Sequence, residues 1–211
     1  MSKTFKSAKA TNATVSDAGQ PGGCSALSSS DGKGIKALFN NVTSTVECGS
    51  GATLFTGSAN DTALGVTLSL ELDVATETAT ITISGPNGAW FGVGFNASAM
   101  QEGPWAVVVD GGGDGRVSEH KLADQGGPPT TTELKPSLKM ISNEVNNNIR
   151  TVVVSRAMKG LSEEYYTFDP SASATLPYIS AVGNSETLSY HKNKAPNTLA
   201  VLPKGQRMPA R

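Results

Sequence analysis

The chain has 211 residues and a formal net charge of −1, so nothing in it implies broad electrostatic attraction to nucleic acid or to an acidic membrane. Only 17% of residues are charged, and Gly, Ser, Thr, Asn and Ala are abundant, which suits short strands joined by turns better than long helices. No run approaches the roughly 20 apolar residues of a membrane helix.

Met1 to Ala10 is polar and basic, without the apolar core of an export signal. Residues 1–22 read as a disordered arm ending at Gln20-Pro21-Gly22-Gly23. A Ser-rich lead-in, 23–50, contains Cys24, Cys48 and one short amphipathic segment, Ile35 to Phe39. In an oxidising compartment the two cysteines form a disulfide closing a loop of about 25 residues, worth roughly 3 kcal/mol; in a reducing one they are two free buried thiols. Sequons at Asn12, Asn41, Asn60 and Asn96 favour the oxidising case and are the candidate glycosylation sites.

From Ala63 the pattern sharpens. Val66, Leu68, Leu70, Leu72 and Val74 alternate with polar residues, which is a strand with one buried face. Ala79, Ile81 and Ile83 alternate with threonines on the return, completing an antiparallel hairpin. Trp90 to Phe95 and Trp105 to Val109 form a second, strongly apolar hairpin around a polar loop that carries Met100. Val117 to Leu122 returns as a polar strand, and Asp124 to Pro136 is too rich in Gly, Pro and Thr to assign. Leu138 to Val145 and Ile149 to Arg156 pair across Asn146-Asn147-Asn148, residues that tolerate positive φ. Tyr165 to Phe168, Tyr178 to Val182 and Leu188 to His191 complete an all-β chain of about nine to eleven short strands. Such spacing predicts an antiparallel β-sandwich, one domain over 23–203 followed by a tail, 204–211.

Several chemistries fail on context. Gly92-Val93-Gly94-Phe95-Asn96-Ala97 has dinucleotide-fingerprint spacing, but Ser98 to Pro104 cannot open the helix whose N-terminus would hold a pyrophosphate. Asp110 and Asp114 bracket three glycines without EF-hand spacing, and a hairpin turn accounts for them. No G-x-S-x-G elbow or zinc-ligand spacing occurs, and His120, in Ser118-Glu119-His120-Lys121, reads as a solvated residue of an edge strand. Met100 and His191 remain. By periodicity alone they read as a core-edge methionine and a surface histidine.

Trp90-Phe91-Gly92-Val93-Gly94-Phe95, then Met100, then Trp105 to Asp110, followed by Val154-Ser155-Arg156, Tyr178 to Gly183 and Leu188 to His191, resemble in order the elements of a DOMON domain. The resemblance spans about residues 50 to 203 and leaves the Cys24 to Cys48 region unexplained. It implies a secreted or ectodomain β-sandwich, on the extracellular side, whose export signal is not part of this sequence. Haem-binding members, similar to the cytochrome domain of cellobiose dehydrogenase, hold b-type haem through one Met and one His. Carried onto this chain, those axial ligands are Met100 and His191. Trp90, Phe95, Trp105 and Tyr190 are available to line the pocket, and by charge alone Arg156 or Lys192 is expected to pair with a propionate. No C-x-x-C-H is present, so attachment is expected to be non-covalent.

The expected function is single-electron transfer, without bond chemistry, to another redox protein or a membrane cytochrome. The rival expectation is a haem-free extracellular module that binds carbohydrate through exposed aromatic rings, or plays a structural part.

Overall fold

The computed structural model describes residues 53–123, 130–171 and 174–206, together with the backbone of two strands, β1 (Cys24–Ser28) and β2 (Ile35–Phe39). The chain separates into two units, Met1–Gly51 and Ala52–Arg211. In the first, β1 and β2 pair antiparallel, where the sequence suggests only a loop with one amphipathic segment. The expected arm at 1–22, Cys48, Asn12, Asn41 and the last five residues lie outside the described residues.

The second unit is the predicted β-sandwich. One six-stranded antiparallel sheet runs in the order β10 (Lys139–Asn146), β11 (Ile149–Ala157), β5 (Thr78–Pro86), β4 (Val66–Asp73), β3 (Leu54–Asp61), β14 (Leu202–Pro203). The other runs β13 (His191–Ala200), β12 (Thr175–Gly183), β6 (Phe91–Phe95), β7 (Trp105–Val109), β8 (Val117–Ala123), β9 (Thr130–Glu133). Among the described residues no helix is long and apolar enough to cross a membrane.

Period-two patterning sets which side chains meet between the sheets. Val66, Leu68, Leu70 and Leu72 of β4 and Ala79, Ile81 and Ile83 of β5 are buried, facing Phe91, Val93 and Phe95 of β6 and Trp105, Val107 and Val109 of β7. Each such Leu, Ile or Phe side chain contributes roughly 1.5–3 kcal/mol through burial. The β10–β11 hairpin turns where predicted, with Asn147 and Asn148 at positive φ.

Three expectations are corrected. β3 and β9 are strands that the residue pattern does not announce. Tyr165 to Phe168 is not a strand: Tyr165 and Phe168 are buried, but they reach the core as side chains from a loop, with the Tyr165 hydroxyl donating to the Lys135 carbonyl at 2.7 Å. The last long strand begins at His191 rather than ending there, because the segment before it is a loop that folds back over Trp90.

Two buried carboxylates tie the fold together, and the second of them bridges the sheets. Glu119 of β8 accepts from Trp105 Nε1 at 3.2 Å, from the Ser137 hydroxyl at 2.7 Å and from the backbone N–H groups of Ser137 and Leu138. Asp61, at the end of β3, accepts from the Ser180 hydroxyl at 3.0 Å and Asn197 Nδ2 at 3.1 Å across the sandwich, and from the N–H groups of Ala63 and Leu64. Burial pushes the Asp61 carboxyl upward, but these hydrogen bonds outweigh it and hold the group below its ordinary value. A carboxylate with a lowered folded pKa adds stability that is complete above its unfolded value and disappears as the pH falls through the folded value. We therefore expect Asp61→Asn to cost about 1–3 kcal/mol near neutral pH. Urea unfolding between pH 7 and pH 3 should show the gap between wild type and variant narrowing only below about pH 4.

Candidate functional site

β6 and β7 lie in the middle of their sheet, and all ten of their residues are buried. Their large side chains point into the sandwich, so the opposite face carries Gly92, Gly94, Ala106 and Val108. That face is the floor of an open groove with a cavity volume of about 190 Å³. Ile179 and Ala181 of β12 continue the floor, and Trp90, Leu188 and Pro196 rise beside it. The glycines are needed for space. A Cβ at Gly94 would come within 2.9 Å of Ile179 Cγ1, and one at Gly92 within 2.9 Å of the Val107 carbonyl.

Met100 and His191 both line this groove. Met100 opens a single 3₁₀ turn, Met100–Glu102. Gly103 closes the turn in the left-handed region at φ 64°, donating its N–H to the Met100 carbonyl at 2.9 Å. Glu102 reaches back to accept from the Ser98 N–H at 3.0 Å, and Ala97 is buried beneath, so the loop is tied at several points.

His191 reaches the groove through a β-bulge. β12 and β13 pair Ala181 with Lys194 and Val182 with Asn193, but the next pair is Gly183 with His191. Lys192 is the extra residue, and its insertion turns His191 onto the same face as Ala181. The imidazole is half-buried and lies against Tyr190 with ring centroids 4.6 Å apart and the ring planes tilted by 36°. Burial, and then the Lys194 ammonium, push His191 below its ordinary value, which leaves it neutral with a free lone pair at pH 7. A thioether and a neutral imidazole lining one apolar groove form a donor set that fits a haem iron and is foreign to calcium or magnesium.

The remaining expected residues divide by face. Trp90 lines the groove, its indole N–H donating to the Ser189 hydroxyl at 3.4 Å, and Tyr190 lies beside His191 with 68% of its surface exposed. Phe95, Trp105 and Arg156 are inside the sandwich, where alternation along β6, β7 and β11 sends them. The Arg156 guanidinium sits 4.4 Å from the Trp105 ring centroid and donates to the Tyr166 carbonyl, so it is committed to the core. Asn60 and Asn96 are exposed. His120 is buried rather than solvated, because β9 pairs outside β8. Its Nε2 bonds the Ser118 hydroxyl at 2.9 Å, and burial pushes its pKa down. Among the described aromatic side chains only Tyr190 is largely exposed.

Residue patterns had not pointed to Ile179, Leu188, Lys194 or Pro196 as groove residues. One signal was present: Trp105 to Val109 is apolar without alternation, which marks a strand buried on both faces.

No family model matches the sequence, and no curated protein matches it. Among solved structures, the cytochrome domain of Myriococcum thermophilum cellobiose dehydrogenase superposes with a TM-score of 0.50 at 12% identity, over 86% of this chain and 89% of that one. The fold is cytochrome-like. The cytochrome b domain of pyranose dehydrogenase from Coprinopsis cinerea matches with a TM-score of 0.49 at 15% identity, over 67% of this chain and 79% of that one. At these identities the likeness concerns the fold, and the site rests on this chain's own residues.

Trp90 is pinned between the groove and Gly183, whose position leaves no room for a Cβ beside the indole. Gly183→Ala should cost about 1–3 kcal/mol through overpacking. It should also shift tryptophan emission to longer wavelength as Trp90 is driven toward solvent, with Trp105 unaffected; steady-state fluorescence and thermal unfolding read both effects.

Proposed function

We propose that this chain is an extracellular DOMON-type cytochrome domain that binds one haem b non-covalently and passes single electrons to a redox protein or a membrane cytochrome. The observation that carries this reading is the convergence of Met100 and His191, remote in sequence, on one apolar groove. The similarity in fold to a cytochrome domain supports it independently of those two residues.

Met100 and His191 would hold the haem, which would supply a one-electron couple when bound. Met100 is the softer ligand, held by the 3₁₀ turn and the Glu102 contact. His191 offers its lone pair because its surroundings keep it neutral. Trp90, Val108, Ile179 and Leu188 give the groove an apolar lining that would limit water beside the two ligands. The exposed ring of Tyr190 against His191 marks the side from which a partner would approach. In the same reading Cys24 and Cys48 form a disulfide, and Asn60 and Asn96 are open to glycosylation.

The test is an absorption spectrum of the purified protein titrated with haem, oxidised and then reduced with dithionite. Sharp, split low-spin bands are expected on reduction, and haem that stays free would overturn the reading. Met100→Ala should bind haem in a partly high-spin form; a spectrum identical to wild type would show that Met100 is not a ligand.

A further inference from the structure

The groove is apolar on its floor and walls, yet one lysine lines it. Lys194 sits opposite Ala181 on the β12–β13 ladder, two residues before Pro196, which sits opposite Ile179. Because Ala181 and Ile179 face the groove, the alternation of β13 turns Lys194 the same way. No carboxylate stands within ion-pair reach of its ammonium among the described residues, where the ion pair is Arg116 with Glu133 at the opposite edge of the sheet. The other cations near the ligand positions do not compete for the role. Arg156 is inside the sandwich, and Lys192 is the bulged residue, outside the groove lining.

An apolar groove with a single unpaired cation on its edge strand suits a ligand with a flat apolar body and an anionic arm. We propose that Lys194 binds a carboxylate of the ligand that fills the groove; resting on the cytochrome reading above, that carboxylate is a propionate of haem b. Lys194 is solvent-exposed, so its pairing is screened and its contribution is modest. It would select among haem-like ligands by charge, while Met100 and His191 fix the iron.

The experiment compares ferric haem with its dimethyl ester, in which both carboxylates are capped, by absorption titration of the full chain. Wild type should bind the free acid about fivefold more tightly than the ester at low salt, and that preference should shrink as salt is added. Lys194→Gln should lose the preference and Lys194→Glu should reverse it, with low-spin bands retained in both. Lys192→Gln should keep the wild-type preference. Equal affinity of wild type for acid and ester, with normal low-spin bands, would overturn the role of Lys194 and leave the haem site standing. A wild-type preference that survives in Lys194→Gln would do the same. Binding of neither compound by wild type would overturn the cytochrome reading itself and this inference with it.

Discussion

Two faces of one hairpin have to be buried at once. Every residue of β6 and β7 is buried, so neither face of either strand is left to solvent. Phe91, Phe95, Trp105 and the valines at 93, 107 and 109 take the inner face and close the sandwich core. The outer face is then left to Gly92, Gly94 and Ala106, and the missing side-chain volume there becomes the groove. Larger residues at the two glycines would meet Ile179 and the Val107 backbone before they met any ligand. Everything proposed for the site therefore depends on the sheet keeping bulk on one side of this hairpin and emptiness on the other.

The ligand candidates are brought to that groove by local devices of different kinds. Met100 comes from a short turn closed by a left-handed glycine and a carboxylate brace. His191 comes from a strand that would have turned it away had its register stayed regular, since a one-residue change in register exchanges the faces of a strand. The bulge at Lys192 makes that exchange at one point and leaves Lys194 and Pro196 on the groove side. Tyr190 then lies against the imidazole with its ring tilted to it.

The interior charges belong to a different task. Glu119 and Arg156 are each about 95% or more buried; Glu119 is satisfied by indole, hydroxyl and backbone donors, while Arg156 donates to the Tyr166 carbonyl and lies over the Trp105 ring with its Nε lacking a hydrogen-bond partner. Removing one member would leave a buried polar partner without its bond, while the intact set adds little net stability. Its geometry ties β8, β11 and the 134–138 segment to the aromatic cluster of Phe95, Trp105 and Phe168. A charged residue on a strand is thus no guide to the ligand unless its face is known, and Arg156 is the example.

By itself the sequence determined the all-β class and the β4–β5, β6–β7 and β10–β11 hairpins, whereas Met100 and His191 became candidates only through a resemblance. Alternation and turn residues are local signals, legible over five to ten positions. It also left both Trp90 and Trp105 available to the ligand, because period two distinguishes two faces without saying which is the core. Only the tertiary structure decided that. Pairing β12 with β6 on one side and β13 on the other made one face of Ile179 and Ala181 a groove floor. The bulge that re-aims His191 has no residue signature in Lys192-Asn193. Lys194 was invisible as a groove residue for the same reason: its role depends on which strand it pairs with, and strand pairing is a non-local property of the chain.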